Sequence, residues 1–396
     1  MNLKIFAETV EQEAIDQVML LLNQPSFKDC KVRIMPDTHA GKGCVIGFTA
    51  DLGDKVIPNI VGVDLGCGML TVELGKIDID FEKLDKVIHD FVPSGRNVHE
   101  GRIVKFPEVQ DCFCYRELKD TKRIERSIGT LGGGNHFIEV DIDNDGNYYF
   151  VVHTGSRNFG KQVADYYQNL AYELLCGKDK LLEEQNKIIE EYKASGRRSE
   201  IQAKIAELKR NFKASDTNVP KELCYLSGEY RQEYLHDMQI CQRYAVKNRE
   251  TMFAIISEKM GWNAISSFQT IHNYIELETN MIRKGAISAK KDEVVLIPIN
   301  MRDGAIIGIG KGNEDWNFSA PHGAGRLMSR TKAKETFSLD EYKNTMNGIY
   351  TTSVTKETID EAPMAYKPME EIIRCIEPTV DVVKIIKPVY NFKASE

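Results

Sequence analysis

With 396 residues and 42% hydrophobic content, the chain can bury a large core, as one big domain or two. A formal net charge of −7 excludes a global basic field for nucleic acid, so a polyanionic substrate needs a local cation source, a metal or an Arg cluster. No apolar run is long enough to span a membrane, the first residues form no apolar leader, and nine scattered Cys make no disulfide framework; together these predict a reduced, cytoplasmic protein.

Residues 11–23 have helical apolar spacing. Residues 31–35 read as a strand ending in the Gly-rich loop Pro36-Asp37-Thr38-His39-Ala40-Gly41-Lys42-Gly43, with a second strand over 44–48. The loop fails the Walker pattern, since no Ser or Thr follows Gly-Lys, and His39 reads as a loop residue rather than a ligand. Val61-Gly62-Val63-Asp64-Leu65-Gly66-Cys67-Gly68-Met69 then sets a hard carboxylate and a soft thiol three residues apart. Taken alone, a buried thiol beside a turn-forming Asp accounts for it. A strand over 69–74, a helix over 80–91 and a turn over 93–97 follow.

Gly129-Thr130-Leu131-Gly132-Gly133-Gly134-Asn135-His136 runs straight into a strand over 137–140, so it is not a dinucleotide fingerprint, which needs a helix there. The strand 148–152 ends at His153, before a polar glycine turn. Residues 161–261 turn helical. Leu181, Leu182, Ile188, Ile189 and Tyr192 form one stripe, Ser195-Gly196 breaks it, and Ile201, Ile205, Leu208 and Phe212 form another. This predicts an antiparallel hairpin whose Arg197, Arg198, Lys204, Lys209, Arg210 and Lys213 belong to a solvated face. Another helix spans 229–260. Strand texture returns over 268–276, 294–301 and 306–310, and Ser319–Arg326 reads as opening a helix over 326–333. The expected architecture is α+β: one domain over 1–396, mixed sheets around a site, and a helical insertion at about 161–261.

Four of the eight His (His136, His153, His272, His322) stand at strand ends or Gly-rich turns. Each alone reads as a structural His. Together with Asp64 and Cys67 they make a plausible site for one or two transition-metal ions. The donors are of mixed softness, which leaves Mn, Zn, Co and Fe open.

VGVDLGCGM, GGGNHFIEV, VVHTGSRN, IHNYIE and APHGAGR, in this order, resemble the RtcB family of RNA ligases, and MPDTHAGKG and the terminal Asn-Phe-Lys also fit. The resemblance spans nearly the whole chain. It implies an RtcB-like fold, two Mn2+ ions and GTP, and joining of broken RNA ends: a 2′,3′-cyclic phosphate or 3′-phosphate to a 5′-hydroxyl. By motif position, Asp64, Cys67 and His136 hold one metal; Cys67, His153 and His272 hold the other. His322 is the guanylated nucleophile, with Arg326 and Asn135 as phosphate contacts. The nucleotide is bordered by Asn135, His136, Phe137, Ile138, Glu139, His272, Asn273, Pro298, Ile299, Asn300, Met301, His322, Gly323, Ala324, Gly325, Tyr366 and Lys393. Glu139 would accept from the N1–H and N2–H of guanine, favouring GTP over ATP. An archease-like activator is a possible partner, and monomer is the default state. Family members carry Gly-Ser-Met-Gly after the proline, where this chain has Ile299-Asn300-Met301-Arg302-Asp303-Gly304, and a Ser where it has Ala305. The alternatives are a metal-dependent cyclic-phosphate phosphoesterase and a non-catalytic RNA-binding protein. A Lys-x-Asp-Gly nucleophile is absent, which disfavours lysine-based ligation.

Overall fold

The computed structural model describes residues 2–27, 29–41, 43–212 and 217–394; Lys42 and Lys213, singled out above, lie outside them. Seven strands pair antiparallel in the order Val294–Asn300, Gly304–Gly310, Val380–Lys393, Phe137–Ile142, Tyr148–Thr154, Gly68–Gly75, Ser266–Ile271. The first and last of these approach each other, so the sheet curls into a nearly closed barrel.

The two-residue period of a strand sorts side chains between the barrel's faces. Met69, Tyr149, Val151, Leu296, Ala305, Ile307 and Ile386 pack inside. Leu70, Val72, Ile138, Val140, Phe150 and Val152 point out, against Leu84, Val87 and Ile88 of the Phe81–Phe91 helix and Met252 and Ile256 of the Gly228–Met260 helix. Asp80 caps the first of these helices by accepting from the Lys83 N–H. Register puts Gly68 opposite Thr154 and Ile271, Phe137 opposite His153 and Lys393, and Asn300 opposite Gly304. The strand ends that carry site residues therefore gather on one rim.

A five-stranded sheet, ordered Asn2–Ile5, Lys31–His39, Ile46–Asp51, Met281–Lys284, Asn273–Glu276, covers that rim from the side. The small pair Ala286–Ser288 and Ser319–Pro321 delivers the chain to His322. The Lys31–His39 strand corrects the expectation of a loop from Pro36. It runs on through a register shift to His39, because Asp37 and Thr38 are buried partners of the site rather than solvated turn residues.

A second correction concerns the helix expected over 326–333. The helix is Arg330–Thr336, capped by Ser329. Residues 322–326 are irregular, with a bend at His322 and Gly323, and Arg326 bridges to Tyr366. Gly325 explains this: its φ is +76°, and a Cβ there would stand 2.4 Å from the Asp37 carbonyl oxygen, so the segment is pressed flat against the Asp37 strand.

The Arg157–Glu173 and Gly228–Met260 helices bury Phe159, Val163, Tyr167, Tyr234, Met238, Cys241 and Tyr244 in the largest core cluster. The Asp179–Ala194 and Ile201–Asn211 helices pack on each other, and of their described side chains Tyr192 alone is buried. Leu181, Leu182, Ile188 and Ile189 are half-buried along the seam. No described helix is long and apolar enough to cross a membrane.

Candidate active site

Asp64 and Cys67 lie on a tight turn, closed by the Cys67 N–H on the Asp64 carbonyl at 3.1 Å. Gly66 permits it: its φ is +72°, and a Cβ would strike the Gln242 backbone at 2.7 Å. Cys67 Sγ stands 3.5 Å from His136 Nε2 and 3.3 Å from His153 Nε2. His136 Nε2 is 3.1 Å from Asp64 Oδ2, and His153 Nε2 is 3.3 Å from His272 Nε2. Cys67, His136 and His153 thus offer three donor atoms within 4.8 Å of one another.

The histidines' other nitrogens settle what these donors are. His136 Nδ1 donates to the Leu131 carbonyl at 3.0 Å, and His153 Nδ1 to the Asn135 carbonyl at 3.2 Å. His153 Nε2 is therefore a bare lone pair aimed at the thiol, whereas His136 Nε2 lies between the thiol and the Asp64 carboxylate. Burial first, then the neighbouring histidines, hold His153 and His272 well below their ordinary pKa, so both are neutral. Burial raises the Asp64 carboxyl, but His136 and Arg157 outweigh it and leave it low. Burial and the Asp64 charge push the Cys67 thiol well up. Neutral imidazoles, an ionised carboxylate and a thiol that ionises only beside a cation suit a transition metal.

A cavity of about 270 Å³ opens beside this cluster. Asp64, Cys67, His153 and His272 form its floor, and His322 stands over them with its ring centroid 4.7 Å from that of His272. His322 Nδ1 lies 2.6 Å from Asp37 Oδ2, which also accepts the His322 backbone N–H at 3.1 Å. Asp37 thereby engages the Nδ1 side of the ring and leaves Nε2 without that acceptor.

Asn135, Phe137, Glu139, Asn273, Pro298–Met301, Gly323–Arg326, Tyr366 and Lys393 also line it, as does His39. Two of the sequence-predicted residues stand apart. His136 sits behind Asp64 and Cys67 rather than in the wall, and the Ile138 side chain turns to the outer face of the barrel. Asn300 closes the turn that departs from the family pattern, accepting from the N–H groups of Arg302 and Asp303 at 3.0 and 2.9 Å. Ala305 is buried inside the barrel, off the cavity.

Several functional neighbours escaped the sequence. Glu361 binds the Tyr366 hydroxyl at 2.7 Å, Arg326 and Arg330 at 3.3 Å each, and Lys393. Arg326 also donates to the Met328 and Asp360 carbonyls, so it pins the loop that carries His322 and Tyr366. Arg249, wholly buried, donates to the Gly66 carbonyl at 3.0 Å and the Thr154 carbonyl at 2.7 Å, tying the Cys67 turn to the His153 strand. Asn248 accepts from the Gly129 and Thr130 N–H groups and donates to the Gly155 carbonyl. A signal for these two was present: they fall on the apolar stripe of their helix, between Ala245 and Met252. For Asp37 the only signal was its place in MPDTHAGKG.

The model of the family described as tRNA-splicing ligase RtcB matches residues 17–117 and 110–394. The chain belongs to the RtcB family. It is 28% identical over 426 residues to the RNA-splicing ligase RtcB of Escherichia coli K12, covering 97% of this chain and 95% of that one. The tRNA-splicing ligase RtcB of Aeropyrum pernix is 25% identical, covering 86% and 82%. That of Nanoarchaeum equitans is 26% identical, covering 86% and 83%. These identities put the chain on a divergent branch of its family.

Proposed function

We propose that this protein is a GTP- and manganese-dependent RNA ligase that joins a 2′,3′-cyclic phosphate or 3′-phosphate end to a 5′-hydroxyl end through a guanylated His322. The observation that carries the reading is His322 itself: a cavity imidazole whose Nδ1 is held by a buried carboxylate, over a metal-donor cluster. Membership of the RtcB family, with relatives named as RNA-splicing ligases, supports it.

Asp64, Cys67 and His136 would hold one manganese ion, and Cys67, His153 and His272 the other. Metal bound there supplies positive charge for phosphoryl oxygens in a protein of net charge −7. His322 Nε2 attacks the α-phosphorus of GTP, forming the N–P bond as the bond to pyrophosphate breaks. Asp37 stabilises the imidazolium that develops, keeping its proton on Nδ1. The RNA 3′-phosphate, freed from a cyclic phosphate by hydrolysis, takes the guanylate from His322. The 5′-hydroxyl then attacks that 3′-phosphate, and GMP leaves.

Glu139 faces the base with Asn391 Nδ2 on its Oε2 at 2.6 Å. Tyr366 offers a stacking surface, and Lys393 lies at the same end of the cavity. Asn135 and Arg326 border the phosphate end. A single catalytic domain over 1–396 with helices of 161–261 inserted, a cytoplasmic monomer, and service by an archease-like activator complete the reading.

The test is incubation with α-labelled GTP and manganese, without RNA, followed by denaturing electrophoresis, beside His322→Ala and with ATP as competitor. Acid-labile, alkali-stable label on wild type alone is the expected result. No label, with manganese bound and an activator supplied, overturns the reading in favour of a phosphoesterase or a binding protein.

A further inference from the structure

Two carboxyls stand two residues apart on the inner face of the Phe137–Ile142 strand. Glu139 lines the cavity, whereas Asp141 lies deeper and takes no part in its wall. Across the sheet Glu139 faces Asn391 and Val151, and Asp141 faces Pro388 and Tyr149. Asp141 is wholly buried, and no described donor reaches either of its oxygens. Its carboxyl is nonetheless within hydrogen-bonding reach of Glu139. Two carboxylates are acceptors only, and two adjacent negative charges do not persist together in an apolar interior. A single proton between them removes both difficulties.

We propose that Glu139 and Asp141 share one proton, held on Asp141, and that Asp141 is thereby the positioning residue that keeps Glu139 a charged acceptor for the two parallel N–H donors of guanine. This rests on the nucleotide reading above.

The surroundings decide which oxygen keeps the proton. Burial raises the Glu139 carboxyl to about 7, and the Asn391 amide and the Lys393 ammonium, itself also paired with Glu361, keep it from rising further. Asp141 has neither. The Tyr149 hydroxyl opposite it donates to Asp143, and Lys384 is bound to Asp143 and Tyr149. Leu296, Ala305 and Ile386 close the barrel interior without charge. Burial, and then the Glu139 charge, push Asp141 well up. A proton on Glu139 instead would set an O–H against the guanine N1–H, and a donor–acceptor pair of that kind suits adenine. The pair is therefore a device for base choice, and its proton is what a probe should follow.

Two measurements on the full-length protein test this. The first is the infrared spectrum without nucleotide at mildly alkaline pH. Wild type should show the carbonyl band of a protonated carboxyl, and Asp141→Asn should lack it. The second is the pH dependence of KM for GTP in His322 labelling, between about pH 6 and 9. Wild type should weaken about tenfold at the alkaline end, where loss of the proton leaves two carboxylates that repel each other and push Glu139 off the guanine edge. D141N keeps a donor at every pH and should stay within about threefold across the range. Asp141→Leu leaves Glu139 alone to hold a proton, so its KM should be high at neutral pH and fall as pH rises, with ATP labelling increased.

Absence of the carboxyl band in wild type overturns the shared proton. Parallel pH profiles for wild type and D141N overturn the positioning role, whether or not the leucine variant folds. No labelling of wild type at any pH overturns the GTP reading and the pair's role in base choice with it, while the infrared band still reports the proton.

Discussion

Replacing Glu361 by Gln removes the counter-charge of three cations at once while keeping the side chain's shape. Glu361 is buried and binds Lys393, Arg326, Arg330 and the Tyr366 hydroxyl. Burial raises its pKa, but the Lys393 charge, then Arg330 and the hydrogen bonds, prevail and bring it from 4.5 to about 2. That depression corresponds to about 3 kcal/mol of stability at neutral pH. Removing one partner of a buried ion pair costs about 3–5 kcal/mol by an independent route, and half-exposed Arg330 places this case at the lower end.

The sign follows from the depressed pKa. The contribution is fully present above the unfolded value near 4.5 and is lost as pH falls toward 2. The gap between wild type and Glu361→Gln in urea unfolding should be about 3 kcal/mol at about pH 7 and about 2 kcal/mol at about pH 3.5. A gap under about 1 kcal/mol at neutral pH, or one that does not narrow in acid, would refute the reasoning.

Two further substitutions probe the site. Asp37→Asn replaces the acceptor on His322 Nδ1 with an amide that no longer stabilises the imidazolium, and should slow guanylation about a hundredfold or more with manganese content unchanged. Quench-flow labelling against metal analysis checks it, and an unaltered rate would show that the dyad does not matter. Gly155→Ala would place a Cβ 2.2 Å from Asp64 Oδ1. It should displace that carboxylate and weaken manganese binding about tenfold or more by calorimetry, whereas unchanged affinity would remove Asp64 from the ligand set.

The chemistry-bearing side chains were legible because each sits where a glycine or strand end interrupts an apolar run. Asp64, Cys67, His153 and His322 stood out as a set rather than one by one, and the structure gathers them around one cavity. Less legible was the backbone that presents them. Ser319–Arg326 looked like a helix start because small residues and an Arg suit one, yet Ser319–Pro321 is a strand and the residues after it lie in close contact with the Asp37 strand, leaving no room for a helix. The Pro36–Gly43 stretch looked like a loop because Pro and Gly usually punctuate, yet burial of Asp37 and Thr38 carries the strand on to His39.

Local pattern by itself determined the helices at 11–23, 80–91 and 229–260, most of the strands and the residue types of the site, since periodicity and turn chemistry act over a few neighbours. Only the tertiary structure decided the partners. Asp37 meets His322, 285 residues away, and Arg249 ties Gly66 to Thr154 across 183 and 95 residues. Glu361 gathers Arg326, Arg330 and Lys393, and among the described residues no donor reaches the buried Asp141 carboxyl. No local rule contains such pairings. They arise because the barrel and its flanking sheet bring distant polar groups into a dry interior, where each must find a complementary charge, a hydrogen bond or a proton.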